Sequence, residues 1–284
     1  MITTEREHTD VSAGIFSPSA LELYLTCPRL FYYNYVERLR PKKSAVAMSF
    51  GSAMHLALAE WRISHSLLEA SAKLGIALAD LPKLDPKRNV GTALTSLKLY
   101  HETFRHEPLD KWTYREIPFR IQMPNGTTLI GIVDAVSRRE EMVELLDTKT
   151  TTSALSDFYF LNFQNSFALL SYDYACQQIY GRSDNVTVEG IHIPAEKQDH
   201  IQRKSIFFSD YQRKEYLNTY MRITSEIIQR MTLGKEAFYL NHSGCSRYGG
   251  CSMLPICTHG ENHPAIVSEM IRESGGEKTT KEGK

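Results

Sequence analysis

Val143-Glu144-Leu145-Leu146-Asp147-Thr148-Lys149 is the stretch on which the fold of this 284-residue chain turns. Val143, Leu145 and Leu146 read as the apolar body of a buried strand that ends in an acid, a threonine and a lysine. Side chains at i and i+2 of a strand share a face, so Asp147 and Lys149 are expected to project side by side. A second apolar run, residues 129–136, precedes it and carries Asp134 among hydrophobic neighbours. The polar residues 137–141 between the two runs fit a hairpin, so the strands are expected to pair. Two carboxylates and one ammonium group then meet at one place. Hard divalent cations such as Mg2+ take oxygen ligands, usually one or two carboxylates with substrate phosphate and water. A lysine beside them faces the attacking water or the phosphate. This is the smallest apparatus for metal-assisted hydrolysis of a phosphodiester.

Upstream, Ser17-Pro18-Ser19-Ala20-Leu21-Glu22 starts a helix, with Pro18 in the first turn and Ser19 and Glu22 at capping-box spacing. Cys27-Pro28 then bends it, because proline removes a backbone donor. Residues 30–36 are dense in aromatics beside arginines, a pattern that suits either a core or stacking on single-stranded nucleic acid. A helix is expected from Met48 to about Ala72, with Gly51 and His55 one turn apart on a shared face. Residues 73–110 read as a helical insert broken at 81–86. Residues 112–122 form a strand that includes Glu116, and Pro124-Asn125-Gly126 is a turn. A single helix is expected from Asp157 to Tyr180, closed by Gly181 and holding Gln164 and Tyr172. Two more strands, 186–194 and 201–208, lead to a helix capped by Ser209 or Asp210 and ended near Gly234.

Cys245, Cys251 and Cys257 recur at intervals of six in a glycine-rich loop. Thiolates bind zinc or iron–sulfur clusters and supply four ligands. Cys27 is the candidate for the fourth, with His259 a weaker substitute. Cys176 lies inside a predicted helix, where a cysteine is commonly a small core residue. Paired Cys-x2-Cys zinc knuckles are absent.

The ordered set Gly51-x-x-x-His55, Gly131-Ile132-Val133-Asp134 and Asp147-Thr148-Lys149 resembles the PD-(D/E)xK nuclease superfamily, in its RecB-like and Cas4-like exonuclease branch. The resemblance covers about residues 17–260. It implies an α/β fold: a restriction-endonuclease-like mixed central sheet flanked by helices, a helical N-terminal part, and an iron–sulfur lobe formed by both chain ends. It implies that His55, Asp134, Asp147 and the backbone carbonyl of Thr148 hold Mg2+ or Mn2+, and that Lys149 acts on water and phosphate. Glu116 is then an accessory ligand or a support behind the ligands, its alternative being a surface acid on an edge strand. Cys27, Cys245, Cys251 and Cys257 would hold a 4Fe–4S cluster; zinc remains the competing reading. The branch carries a Gln-x-x-x-Tyr pair that contacts DNA. This chain departs from it, since Ala168 stands four past Gln164 and the nearest tyrosine on a similar face is Tyr172.

Composition bounds the rest. Lys plus Arg and Asp plus Glu are 33 each, so no global basic excess marks a duplex-binding protein. No apolar run spans a bilayer. The polar N-terminus does not read as a signal peptide, and five cysteines without one do not suggest a disulfide framework, so a cytoplasmic location is expected. The expected organisation is a flexible leader at 1–15, one nuclease domain at 16–263, and a disordered tail at 264–284. Within the domain, 16–110 is mainly helical, 111–208 holds the core sheet and helix, and 209–263 holds a helix and the cysteine lobe. The expected activity is metal-dependent exonuclease action on single-stranded DNA ends. The alternative is an iron–sulfur subunit of a larger assembly with a helicase, recombinase or CRISPR integrase partner.

Overall fold

The computed structural model describes residues 7–42, 46–79, 85–139, 142–246, 250–260, 262–263, 266 and 270–272. In chain order the elements are β1 (Ile15–Phe16), α1 (Pro18–Thr26), α2 (Pro28–Phe31), β2 (Leu39–Pro41), α3 (Val46–Ser64), α4 (Leu67–Leu78) and α5 (Val90–Phe104). Then come β3 (Tyr114–Gln122), β4 (Thr128–Arg139), β5 (Met142–Thr151), α6 (Asp157–Leu161), α7 (Phe167–Tyr180), β6 (Asn185–His192) and β7 (Ile201–Ile206). The chain closes with α8 (Asp210–Leu233), α9 (Leu254–His259) and β8 (Met270–Arg272).

A mixed six-stranded sheet runs β1-β4-β5-β6-β7, with β3 also on β4. β1–β4 and β5–β6 are parallel; β3–β4, β4–β5 and β6–β7 are antiparallel. One face is covered by α1, α7 and α8, through Leu21, Leu169 and Tyr220 on Phe119, Leu145 and Val188. The other is covered by α3, α4 and α5, through Met54, Trp61, Leu74 and Leu97 on Ile191 and Ile201. Gly131 on β4 is dictated by the first core: a Cβ there would lie 2.5 Å from Phe119 Cζ.

The pairing around β4 makes the site. A strand has two edges, and β3 takes one of them from Thr128 to Val136. β1 and β5 therefore share the other, β1 at Thr128–Leu129 and β5 at Ala135–Arg139. Residues 130–134 of that edge are left without a strand partner. The β4–β5 ladder stops at Ala135↔Leu146, one residue short of Asp134 and Asp147, while β5 continues on β6 to Thr151↔His192.

Several sequence expectations need correction. The leader is not unstructured throughout: Asp10 caps the 3-10 turn Val11–Ala13 and Ile15–Phe16 joins the sheet, with residues 1–6 outside the described ones. Ser17, not Ser19, caps α1, accepting from Ala20 N, and Glu22 is turned to α7 instead. β4 runs on to Arg139, so residues 137–139 are strand; 140–141 of the expected hairpin link lie outside the described residues. The expected break at 81–86 also falls mostly outside them. The single helix of 157–180 is two, because the chain stops at Leu161 and restarts at Phe167, with Ser166 accepting from Leu169 N. The tail is not wholly disordered: β8 pairs antiparallel with β2, Leu39 opposite Arg272 and Pro41 opposite Met270, with 273–284 outside the described residues. That pairing closes a small lobe of both chain ends around Tyr33, Leu39, Met253, Ile256 and Ile266.

Candidate active site

The site lies where β4 and β5 part. With no strand opposite it, the N–H of Thr148 would be orphaned; it donates instead to Asp134 Oδ2 at 2.7 Å. The other oxygen of Asp134 lies 3.4 Å from His55 Nδ1, which α3 brings across the sheet. Gly51, one turn before His55, lets α3 come down on β5: a Cβ there would sit 3.3 Å from Thr150 Oγ1.

Glu116 enters from β3. Arg115 pairs with Ala135 and Ile117 with Val133, so Glu116 stands opposite Asp134. Its φ is 49°, a left-handed conformation that a non-glycine residue adopts at a cost of about 1–3 kcal/mol and that concentrates at functional sites. One ligand atom each from His55, Glu116 and Asp134 lie within 4.8 Å of one another, and no other such group of three forms among the described residues. The three line an open cleft of about 310 Å³ floored by Gly51 and Ile132. An imidazole and two carboxylates converging on solvent are a donor set that fits a hard divalent cation.

Asp147, expected from sequence among the ligands, stands outside that group and against Lys149. Lys149 Nζ lies 2.9 Å from its Oδ1 and 2.8 Å from its Oδ2. The i, i+2 placement thus produces contact. Burial would raise the Asp134 carboxyl, but the His55 ring, Lys149 and the Thr148 N–H hold it down at about 2. Burial raises Asp147, with Lys149 opposing and Asp134 adding to the rise. Burial would lower Lys149, yet Asp147 above all carries it above the ordinary range. Burial would likewise lower His55, and Asp134 overrides it upward. The centre is one strongly ionised acid, one acid pushed toward neutrality by burial, a lysine held charged by Asp147 and an imidazole raised by Asp134.

Of the remaining expected residues, Gln164 is exposed in the turn between α6 and α7, its carbonyl accepting from Gln212 Nε2. Tyr172 is half-buried on α7, edge-on to Phe119, and its hydroxyl feels Lys149 and Asp147. Cys27 ends α1, is buried, and takes a long hydrogen bond from Asn241 N at 3.5 Å. Asn241 Nδ2 also donates to Thr26 O at 2.8 Å, which seats the Cys245 loop on the end of α1. Burial raises the Cys251 thiol, then Cys245 and Cys27; burial raises Cys257, then Cys251, Cys27 and Cys245. No three of these thiols form a close group among the described residues. Cys176 lies apart from them, being packed in the core under α7.

Three contributions were missed from sequence. Glu22 Oε1 accepts from Ala168 N at 3.0 Å, so α1 holds the first turn of α7 beside Lys149. Tyr159 of α6 is close enough to Lys149 and Asp147 to feel both charges. Behind Thr148 lies a buried ionic network: Arg62 donates to Thr148 Oγ1 at 2.7 Å and to Glu189 Oε1 at 2.5 Å. Arg203 and Tyr100 complete Glu189 at 2.7 and 3.1 Å. Only Glu189 carried a local signal, as the one charge in residues 186–191, whereas Arg62 follows Glu60 closely and offers no such contrast.

No helix of the described residues is long and apolar enough to cross a membrane. A candidate exonuclease from Eubacterium rectale is 12% identical and superposes with a TM-score of 0.53 over 83% of this chain and 88% of that one. A protein named SSO0001 is 11% identical, with a TM-score of 0.36 over 80% of this chain and 79% of its own. At these identities the likeness is one of fold, and only the first carries it. No curated protein matches the chain. The sequence model of the PD-(D/E)XK nuclease superfamily, whose members use divalent metals, matches residues 15–258. That span takes in β1, the parted strands β4 and β5, His55, Glu116, Lys149 and all five cysteines, and by it the chain belongs to the PD-(D/E)XK nuclease superfamily.

Proposed function

We propose that this nuclease is a Mg2+- or Mn2+-dependent exonuclease that acts on single-stranded DNA ends and carries a structural 4Fe–4S cluster. The observation that carries the reading is the convergence of His55, Glu116 and Asp134 on one cleft, with the Asp147–Lys149 pair close enough to act electrostatically on Asp134. His55, Asp134 and Glu116 would hold the metal, with Asp147 and the Thr148 carbonyl completing the set. The metal would supply positive charge at the phosphate and a more acidic water. Lys149, fixed by Asp147, places a second positive charge where negative charge develops on phosphorus. Tyr172, whose hydroxyl feels Lys149 and Asp147, and Gln164, exposed in the turn before α7, are assigned to substrate contact.

Exonuclease action is in keeping with the name of the candidate exonuclease from Eubacterium rectale, whose fold this chain shares. A single-stranded substrate is supported by the balance of 33 basic and 33 acidic residues, because duplex affinity comes largely from phosphate neutralisation. The cluster reading rests on the order of the cysteines, Cys27 early and Cys245, Cys251 and Cys257 late, and on the seating of the Cys245 loop on the end of α1 beside Cys27.

The test is anaerobic purification followed by cleavage of 5′- and 3′-labelled single- and double-stranded oligonucleotides. Brown protein that degrades single strands from an end, only when Mg2+ or Mn2+ is added, is expected. Full activity in excess chelator would sink the metal reading, and colourless zinc-loaded protein would sink the cluster.

A further inference from the structure

We infer that Arg62 is a positioning residue that sets the metal site through Thr148; the inference rests on the metal reading above. α3 is pinned to the site at two points seven residues apart, His55 on Asp134 and Arg62 on Thr148. Seven residues are about two turns, some 10.5 Å along one helix face. The two pins fix both the height and the rotation of α3, and with them the direction of the His55 ring.

Thr148 is held on three sides. Its hydroxyl accepts from Arg62 Nη2 at 2.7 Å and donates to Glu189 Oε1 at 3.2 Å. Its N–H donates to Asp134 Oδ2 at 2.7 Å. The β5–β6 ladder, Thr148 opposite Glu189 and Lys149 opposite Gly190, sets the strand direction of the carbonyl assigned to the metal, and the Arg62 and Glu189 contacts hold Thr148 within it. The same contacts hold Asp134, because its Oδ2 is anchored on a backbone that Arg62 immobilises.

Stability alone does not account for such a network. Arg62 is 2% exposed and Glu189 fully buried, and Arg62 Nε has no hydrogen-bond partner. Buried ion pairs are often no better for stability than apolar residues of similar volume. Here the network ends on the middle residue of the Asp147-Thr148-Lys149 motif. Groups that orient metal ligands from behind typically govern metal affinity by 10- to 100-fold when removed.

The experiment is Mn2+ titration followed by electron paramagnetic resonance, with melting temperature measured on the same samples. Thr148→Val keeps the volume and removes the hydroxyl; it is expected to weaken Mn2+ binding about tenfold. Thr148→Ser, which restores the hydroxyl, should recover most of that loss. Arg62→Lys keeps the charge but not the planar fork and should show the same weakening from the other side. Tyr100→Phe removes one hydrogen bond to Glu189 without touching Thr148. It should lower the melting temperature and leave Mn2+ binding within about twofold, since it does not reach the ligand set. Wild-type affinity in Thr148→Val, or equal weakening in Tyr100→Phe, would overturn the positioning role while leaving the metal site standing. A wild-type protein that binds no Mn2+ would instead remove the metal reading itself, and this inference with it.

Discussion

Lys149→Ala should separate chemistry from folding and from binding. The ammonium group touches both oxygens of Asp147, at 2.9 and 2.8 Å, and its side chain is 38% exposed while that of Asp147 is 6% exposed. It is therefore a charge held by a buried carboxylate and partly open to solvent. Loss of one preorganised group that stabilises developing charge lowers the chemical rate by about 10²–10³-fold, or about 2.7–4 kcal/mol. The effect on stability is smaller. The pair is solvent-screened on the lysine side, so its net worth is of the order of an exposed pair, up to about 1 kcal/mol. Asp147 is also already displaced upward by burial, and losing Lys149 raises it further.

The assay is single-turnover cleavage of an end-labelled single strand, with DNA affinity by fluorescence anisotropy and Mn2+ affinity by titration. The rate should fall by about 10²-fold or more. DNA affinity should stay within a few-fold, and Mn2+ should bind as well as in wild type or better, since a nearby positive charge has gone. Lys149→Arg should not restore the rate, because the planar guanidinium does not reproduce a point charge. Cleavage at the wild-type rate by Lys149→Ala would refute the reasoning and reduce β5 to a core strand with a solvated end.

Glu116→Gln keeps the shape of the side chain and removes its charge; Mn2+ affinity should fall at least about tenfold, and unchanged affinity would return Glu116 to a surface role. Asp134→Asn keeps an acceptor for the Thr148 N–H, so the protein should fold with a near-native melting temperature but bind Mn2+ weakly and cleave at background. Cys27→Ser should lose iron as fully as Cys251→Ser, whereas Cys176→Ser should keep it; full iron in Cys27→Ser would remove that residue from the cluster. Gly131→Ala would place a methyl 2.5 Å from Phe119 Cζ, and denaturant unfolding should show a loss of about 1–3 kcal/mol; a loss near zero would mean that the ring moves aside freely.

What could be read in advance was what the chain writes locally. The apolar runs before Asp134 and Asp147 are strands, and the two-residue spacing of Asp147 and Lys149 becomes a contact because strand geometry alternates strictly. Cys27 before Pro28 does mark a helix end, but the cysteine is buried and not exposed as a bend would suggest, because Asn241 of the later loop packs on it. The break between α6 and α7 was also written, in Asn165-Ser166 before an apolar run, but a helix pattern on both sides of it masked the cap. β8 was hidden for a different reason. A three-residue edge strand is held by backbone hydrogen bonds to β2, which leave no hydrophobic period in a polar tail.

The site itself depends on facts that no local pattern records. Glu116 could not be placed from sequence, because what brings it to Asp134 is a register set across β3 and β4 together with a left-handed φ that its side chain does not advertise. Arg62 and Glu189 stand 127 positions apart and are legible only as a pair, each an expensive buried charge until the other is in place. Deepest of all is the shared edge of β4. β1 and β5 occupy that edge at its two ends and leave the middle open among the described residues. The open stretch strands the Thr148 N–H, and the stranded N–H is what turns the Asp134 carboxylate inward to be held. The acid assigned to the metal is thus fixed by a vacancy in sheet pairing, and that vacancy is a property of three strands at once.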